Sequence, residues 1–408
     1  MGQGSSIIIL HEVLITFSVE SFSDKLHHLF MFDNHKSGKG INLRRLIFGV
    51  IISLVLTGTG DLLVLERRMD SVDNSYRIRG DSLEYMKMIR QEADEADAPF
   101  RYRVLVPFLS RFIPVDDPAA ALKIVTLISL FFLYLFIFNI NSNFSISGAA
   151  AGLLLAWSSQ IHLYNYHNPY LTDAFGLMMI ALMYYALIKR QYPIFILAAL
   201  IGVLGRESVI FMAPAWLVTK QWKRGTAAIA APLGVLILLR LIIPGQESYQ
   251  FKEIFRELNR TGQILHTGLS IFWSWNALWL PGIATLFFIK GKNGKKYRIT
   301  FALLFSGAFL SSFFATDIKR MFSILMPVMA ISCIYMTGYI KVEKSLLFWL
   351  LLLLIPFRAI LSRPNFIFGH EHFVFQSRMP GYMLLLVQTI LFGIIIMFFL
   401  KRSQAAKK

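Results

Sequence analysis

The chain has little cysteine and little charge. Its one cysteine among 408 residues, Cys333, excludes an intrachain disulfide and a metal cage of cysteine ligands. Only 16% of the residues are charged, whereas 56% are hydrophobic and the mean hydropathy is +0.57. This composition excludes an ordinary soluble globular domain. The sequence therefore predicts an all-α membrane protein with many spanning helices.

Several motifs of soluble enzymes are also absent. There is no glycine-rich phosphate loop, no serine-nucleophile motif and no CxxC pair. His370 and His372 could offer two imidazoles, but their i, i+2 spacing without an evident third ligand does not indicate a zinc site. We therefore assign no metal ligand from the sequence.

Apolar runs of membrane-spanning length dominate the chain. We predict about twelve spans, at residues 46–65, 120–138, 146–163, 173–188, 193–204, 208–219, 226–243, 269–289, 299–315, 321–338, 345–361 and 381–400. The pair 193–204 and 208–219 is interpreted as a hairpin broken at Gly205-Arg206-Glu207. The alternative is one long tilted helix with a charged middle.

Basic residues recur after every second span, which places both termini in the cytoplasm by the positive-inside rule. The segments assigned to that side hold 21 Lys and Arg against 5 Asp and Glu, nearly all of the net charge of +17. Because these cations sit in short loops between apolar runs, they indicate membrane topology and no nucleic-acid partner.

The predicted organisation has three parts. Residues 1–45 form a cytoplasmic or interfacial segment, residues 46–340 form a transmembrane module with an outer loop at 66–118, and residues 341–408 form the last helices and a basic tail. Within the outer loop, Asp81–Gln91 has helical spacing and predicts an amphipathic helix on the membrane surface.

Acids and arginines gather in short segments on the predicted outer side. The candidate site residues are Asp61, Asp81, Tyr85, Arg101, Arg103, Asn168, Tyr170, Asp173, Arg206, Glu207, Asp317, Lys319 and Arg320. Most have a structural alternative: Asp81 and Asp173 could be helix caps, Arg101 and Arg103 could anchor lipid headgroups, and Arg206 and Glu207 could be an ion pair that holds the hairpin. The segment with Asp317, Lys319 and Arg320 could be a solvated turn. Charge near membrane level is nevertheless usually functional.

These segments, read in order as GDSLEY, PFRYRVLVP, NPYLTD, GRES and TDIKR, resemble the GT-C superfamily of integral membrane glycosyltransferases over most of residues 45–340. The resemblance implies a polyprenyl-phosphate-linked sugar as donor and a glycan, lipid or protein as acceptor, at the outer face of a bacterial plasma membrane or an equivalent lumenal face. It also implies an acid of the first outer loop as general base, here Asp81 with Asp61 as competitor. The arginines and Lys319 would bind the phosphate, and a divalent cation is left open because no DxD pair is present.

Two other classes of function are compatible with many spans. A transporter or flippase of lipid-linked sugars predicts charges at the membrane midplane and in both leaflets, whereas here they collect on one face. A polymerase or ligase of the O-antigen type usually has its large outer loop late in the chain, whereas this chain has it first. A noncatalytic assembly factor would tolerate the loss of Asp81.

Overall fold

A computed structural model gives the architecture of most of the predicted transmembrane module. It describes residues 43–69, 81–90, 92, 95–97, 100–140, 145–157, 165–166, 168–243, 279–289, 291–312 and 318–340, and isolated positions between 387 and 398. The candidate residue Asp317, the pair His370 and His372, and the segment 1–42 lie outside this part of the chain.

Helices account for every regular element in the described ranges, which contain no strand. The α-helices are α1 Leu43–Met69, α2 Asp81–Ile89, α3 Leu105–Ser110, α4 Pro118–Asn139, α5 Ile146–Trp157, α6 Asp173–Lys189, α7 Tyr192–Gly205, α8 Trp222–Ile242, α9 Trp279–Phe288, α10 Gly291–Ser312, α11 Ile318–Phe322 and α12 Met326–Ile340. Three 3-10 helices, Phe100–Tyr102, Glu207–Thr219 and Ser323–Leu325, lie between them.

Four helical segments are long and apolar enough to cross a membrane. They are Leu43–Leu62, Pro118–Asn139, Trp222–Ile242 and Arg320–Tyr339. A helix of about 20 residues is about 30 Å long, the thickness of the hydrocarbon layer. The prediction of about twelve spans stays a prediction, since 345–361 and most of 381–400 are not described.

The predicted hairpin is confirmed, and the single long helix is wrong. α7 ends at Gly205 and the next helix begins at Glu207, with Arg206 extended between them at φ −159° and ψ 120°. The Trp216 ring lies 5.2 Å from the ring of Tyr192 and 5.0 Å from that of Phe195. The end of the second helix therefore packs against the start of the first, and Arg206 and Glu207 are at the tip.

One predicted boundary is wrong. The basic segment 290–298 was expected to be a loop before a span at 299–315, but α10 already begins at Gly291. The basic residues are accommodated within this helix: Lys296 is buried and donates from Nζ to the carbonyls of Leu187 at 2.7 Å and Ile188 at 3.3 Å. A lysine that bonds the last carbonyls of a neighbouring helix satisfies groups that the helix itself leaves open.

Two of the basic segments, at 44–45 and 290–298, lie at one end of the fold, where the ring centres of Phe136 in α4 and Tyr185 in α6 are 6.3 Å apart. Lys296 meets the last turn of α6, and Arg45 Nη2 donates to the Phe138 carbonyl at 2.9 Å in the last turn of α4. Asp173, the first residue of α6, is about 25 Å away along that 17-residue helix. The acids and arginines discussed below lie at this opposite end.

The helix predicted in the first outer loop is confirmed as α2. Its side chains Tyr85, Met86 and Met88 are buried against the Phe100–Tyr102 turn, α3 and α4, while Leu83 is exposed. One face of α2 is therefore fixed to the helical module. This contact holds Asp81 and Tyr85 in place.

The tightest helix contact involves Gly152 of α5. A Cβ at this position would lie 2.6 Å from both the backbone N and the Cα of Ile334 in α12, closer than any side chain can approach a backbone. We expect Gly152→Ala to lower the free energy of unfolding by about 1–3 kcal/mol, because the two helices must separate. The matched control is Gly58→Ala in α1, where a Cβ meets nothing within 4 Å. Thermal unfolding in detergent measures both, and equal unfolding temperatures for the two variants would contradict the close packing.

Candidate functional site

Four charged side chains from distant parts of the sequence form a chain of ion pairs. Arg320 donates from Nε to Asp173 Oδ2 at 2.7 Å and from Nη1 to Asp81 Oδ2. Arg206 Nη1 pairs with the other oxygen of Asp173, Oδ1. Asp173 thus uses both of its oxygens to hold two arginines, and Arg320 joins it to Asp81.

The four side chains become more exposed along this series of ion pairs, from Asp173 to Asp81. The side chains of Asp173 and Arg206 are 2% and 3% exposed, that of Arg320 is 10% exposed and that of Asp81 is 26% exposed. Charge pairs that are removed from water interact strongly, but either charge is costly when its partner is lost. Asp173 and Arg206 form the fixed inner end, and Asp81 is the accessible outer end.

A second group of polar side chains lies around Arg103. Its Nε donates to Glu207 Oε2 at 2.8 Å and its Nη1 to the Tyr85 hydroxyl at 2.7 Å, while its guanidinium lies 5.4 Å from the centre of the Phe100 ring. The Tyr85 hydroxyl is also 3.4 Å from Thr172 Oγ1. Arg103 is therefore fixed from three sides.

Arg103 keeps its charge in this setting. Burial by itself lowers the pKa of Arg103, but the Glu207 carboxylate and then Tyr85 outweigh it, so that the pKa lies above its ordinary value. Arg320, a second cation nearby, acts against this increase. The guanidinium is thus a permanent cation beside the pair of Arg320 and Asp81.

The two groups are continuous along the backbone. Thr172 directly precedes Asp173, and Arg206 directly precedes Glu207. We call the eight residues the arginine–acid cluster: Asp81, Tyr85, Arg103, Thr172, Asp173, Arg206, Glu207 and Arg320. Its three acids are each the first residue of a helix, α2, α6 and the 3-10 helix Glu207–Thr219 respectively.

Two structural alternatives from the sequence are wrong. Thr172, and not Asp173, is the N-cap of α6, and the Asp173 carboxylate is engaged by arginines. Arg206 and Glu207 do not pair with each other across the hairpin, because each faces a different partner. Both residues connect the hairpin tip to other elements.

Four further candidates, Arg101, Asn168, Tyr170 and Lys319, belong to the same segments as cluster residues but make none of the ion pairs described above. Arg101 is buried in the Phe100–Tyr102 turn, and Asn168 and Tyr170 are half-buried in the turn before Thr172, where Thr126 donates to the Pro169 carbonyl at 2.7 Å. Lys319 adjoins Arg320 in α11, and its side chain is not among those described.

Asp61, the competing candidate base, belongs to a different contact. Its Oδ2 pairs with Lys123 Nζ at 2.8 Å, between α1 and α4. Its Oδ1 is buried and has no hydrogen-bond partner within the described ranges. The structure therefore does not place Asp61 among the ion pairs of the arginine–acid cluster.

The sequence analysis missed three residues that shape the cluster. Thr172 meets Tyr85, Ser208 Oγ accepts from Arg206 Nε at 3.0 Å, and Gly176 provides room for Arg206. A Cβ on Gly176 would lie 2.8 Å from Arg206 Cδ. A threonine just before a helix is a recognisable cap signal. The sequence carries no signal for the role of Gly176, which depends on a contact across 30 residues.

The described residues show no set of metal ligands. They contain no group of three His, Cys, Asp or Glu side chains placed to hold a metal ion together. Each carboxylate of the cluster is bound to an arginine, which a metal ion would have to displace. We therefore propose no step through a metal.

The cluster combines a reachable carboxylate with three guanidiniums, a set suited to proton transfer next to an anionic group. Comparison of the chain with protein-family models, with curated proteins and with solved structures gave no match. The function of the site is therefore inferred from its own residues.

Proposed function

We propose that the protein is an integral membrane glycosyltransferase. It would transfer a sugar from a polyprenyl-phosphate donor to a hydroxyl of a glycan, lipid or protein at the extracytoplasmic face, in a bacterial plasma membrane. The observation that carries the proposal is the convergence of Asp81 with Arg103, Arg206 and Arg320 at the end of the fold opposite the basic turns.

Glycosyl transfer needs the two kinds of group that the cluster combines. A base must take the proton of the acceptor hydroxyl, and Asp81 is the cluster's most exposed carboxylate. Cations must stabilise the phosphate as it leaves with increasing negative charge. Guanidiniums suit this task, since their forked N–H groups match pairs of phosphate oxygens.

The position of the cluster suits a donor that arrives through the bilayer. The charges lie at the ends of apolar helices, and basic residues occupy the opposite ends of α4 and α6. By the positive-inside rule the cluster then faces away from the cytoplasm. A polyprenyl chain could remain among the lipids while its phosphate meets the arginines.

The experiment that tests this function is turnover in liposomes. The purified protein is given a panel of polyprenyl-phosphate sugars with an acceptor, and release of the lipid phosphate is measured. Release from one donor supports the transferase. Failure of every donor, with movement of a labelled lipid between leaflets, would instead identify a transporter.

Glu207→Gln tests the part of the cluster around Arg103. Glutamine keeps an oxygen for Arg103 but removes the charge, and the Oε1 atom of Glu207 is buried with no hydrogen-bond partner in the described part of the chain. We expect turnover to fall about tenfold or more if this charge orients donor or acceptor. The free energy of unfolding should fall by less than in Asp173→Asn, because Glu207 is more exposed than Asp173 and holds one arginine instead of two. A variant that is less stable, but whose folded fraction turns over at the wild-type rate, would make Glu207 a structural residue.

A further inference from the structure

The charges of the arginine–acid cluster balance. Three guanidiniums, from Arg103, Arg206 and Arg320, face three carboxylates. A phosphate that reaches these eight residues therefore meets no excess of positive side chains. To take the full charge of a guanidinium, it must compete with a carboxylate that already pairs with it.

Asp81 is the carboxylate that a phosphate can displace from its arginine, Arg320, at the lowest free-energy cost. Asp173 is buried and bound by two arginines, so its release would leave charges unpaired away from water. Asp81 is the most exposed acid, and among the described residues Arg320 is its one ion-pair partner. Arg320 would keep its Nε contact with Asp173 during the exchange.

The ion pair of Arg103 with Glu207 is harder for a phosphate to displace. Arg103 is bound to Glu207 and to the fully buried Tyr85, and it lies over the Phe100 ring. A phosphate could approach it as an additional ligand, but displacing Glu207 would break a longer set of contacts. The outer end of the cluster is thus the point of entry.

We propose that Asp81 is a built-in competitor of the donor phosphate: the phosphate displaces it from Arg320 Nη1, and this displacement frees the carboxylate to act as base. This inference rests on the proposed function. Asp81 Oδ2 accepts from Arg320, and while this pair is intact the guanidinium stabilises the charge on that oxygen and shields it from an acceptor hydroxyl. Donor binding therefore makes Oδ2 available as a further oxygen that can take the proton.

The change in charge during the transfer also favours phosphate over Asp81 as the partner of Arg320. The acceptor oxygen forms a bond to the anomeric carbon of the sugar, the bond from that carbon to the phosphate oxygen breaks with its electron pair on the phosphate, and the hydroxyl proton passes to Asp81. The phosphate gains a negative charge as Asp81 loses its own. Arg320 is therefore bound more strongly by the phosphate in the transition state than in the ground state, the condition for catalysis.

Asp81 also acts after the transfer. Once it has given its proton to water, it is again an anion and competes for Arg320. The carboxylate then competes with the lipid phosphate product and weakens its binding, although the product carries the greater charge. This competition shortens the time that the product stays on the arginines.

Binding measurements test the competition without turnover. The dissociation constant of a short-chain polyprenyl phosphate is measured in detergent for the wild type, Asp81→Asn and Asp116→Asn. We expect Asp81→Asn to bind about tenfold more tightly, since one charge-assisted hydrogen bond no longer has to be broken. Asp116 is an exposed carboxylate just before α4, at the same end of the fold, and its variant controls for the loss of one negative charge.

A double-mutant cycle shows whether the gain passes through Arg320. In an Arg320→Gln background, Asp81→Asn should change the dissociation constant by less than about twofold. The same cycle with inorganic phosphate shows whether the headgroup alone competes or the lipid chain is required, and tighter binding by Asp81→Asn with either probe supports the exchange. Equal binding by wild type and Asp81→Asn, or an equal gain in Asp116→Asn, overturns it. Lack of turnover with every donor would contradict the proposed function but leave these constants valid.

Discussion

Asp81→Asn is expected to reduce release of lipid phosphate by about 10²- to 10⁴-fold, the usual contribution of a general base. The amide is close in size to the carboxylate and can still accept a hydrogen bond from Arg320, so the fold should be retained. The loss should therefore lie in the rate of transfer. Together with the tighter phosphate binding expected for this variant, it would give slow turnover with a lower dissociation constant.

Asp61→Asn is the matched control. Asp61 is also a half-buried carboxylate in an ion pair, but its partner is Lys123, which is outside the arginine–acid cluster. Near-normal turnover in Asp61→Asn, beside a loss in Asp81→Asn, would assign the base to α2. Loss in Asp61→Asn alone would move the base to the end of the first span, and full activity of both variants would indicate a noncatalytic role for the acids.

Asp173→Asn is expected to affect stability most. Its carboxylate is almost fully buried and holds Arg206 and Arg320 through separate oxygens. A neutral amide would leave the buried Arg206 without its ion-pair partner and Arg320 with Asp81 alone, and breaking a buried pair in this way costs about 3–5 kcal/mol. This is a large part of the stability of a typical domain. The measurement is chemical or thermal unfolding in detergent.

Glu207→Gln provides the comparison for this effect. It also removes a carboxylate from an arginine of the cluster, but Glu207 is partly exposed and holds one arginine. A much larger loss of stability in Asp173→Asn would confirm that Asp173 anchors the cluster. Similar losses in the two variants would mean that burial does not determine the strength of these pairs.

Sequence patterns were sufficient to predict the local elements of the site. The 3.6-residue spacing after residue 80 predicted α2, and the charges between two short apolar runs predicted the break at Arg206. The alternation of basic and acidic loops predicted that Asp81, Asp173 and Arg320 share one side. These signals depend on neighbouring residues or on loop charge, both of which can be read along the chain.

The pairing inside the cluster could not be predicted in that way. Arg206 and Glu207 are adjacent and of opposite charge, so the sequence suggests a local ion pair. In the structure Arg206 lies across Gly176 toward Asp173, whereas Glu207 faces Arg103. Helix packing decides these partners. The bond between Arg320 and Asp81, 239 residues apart, depends on how α2 and α11 pack within the fold.

The start of α10 shows a different limit. The cluster of lysines before residue 299 is typical of a cytoplasmic loop, and the positive-inside rule says where such residues lie but not which backbone conformation they adopt. Lys296 lies in the first turns of a helix, and its ammonium group reaches the end of α6. The positive charge of a segment therefore does not distinguish a loop from the end of a helix.

The helix starts at Asp81, Asp173 and Glu207 have one more consequence. The first peptide N–H groups of a helix have no acceptor inside it, and the aligned peptide dipoles give that end about half a positive charge. Each acid of the cluster therefore faces the positive end of its own helix as well as an arginine. A carboxylate that yields its arginine to an arriving phosphate still lies beside a partial positive charge, so the side chains can change partners while the helices stay in place.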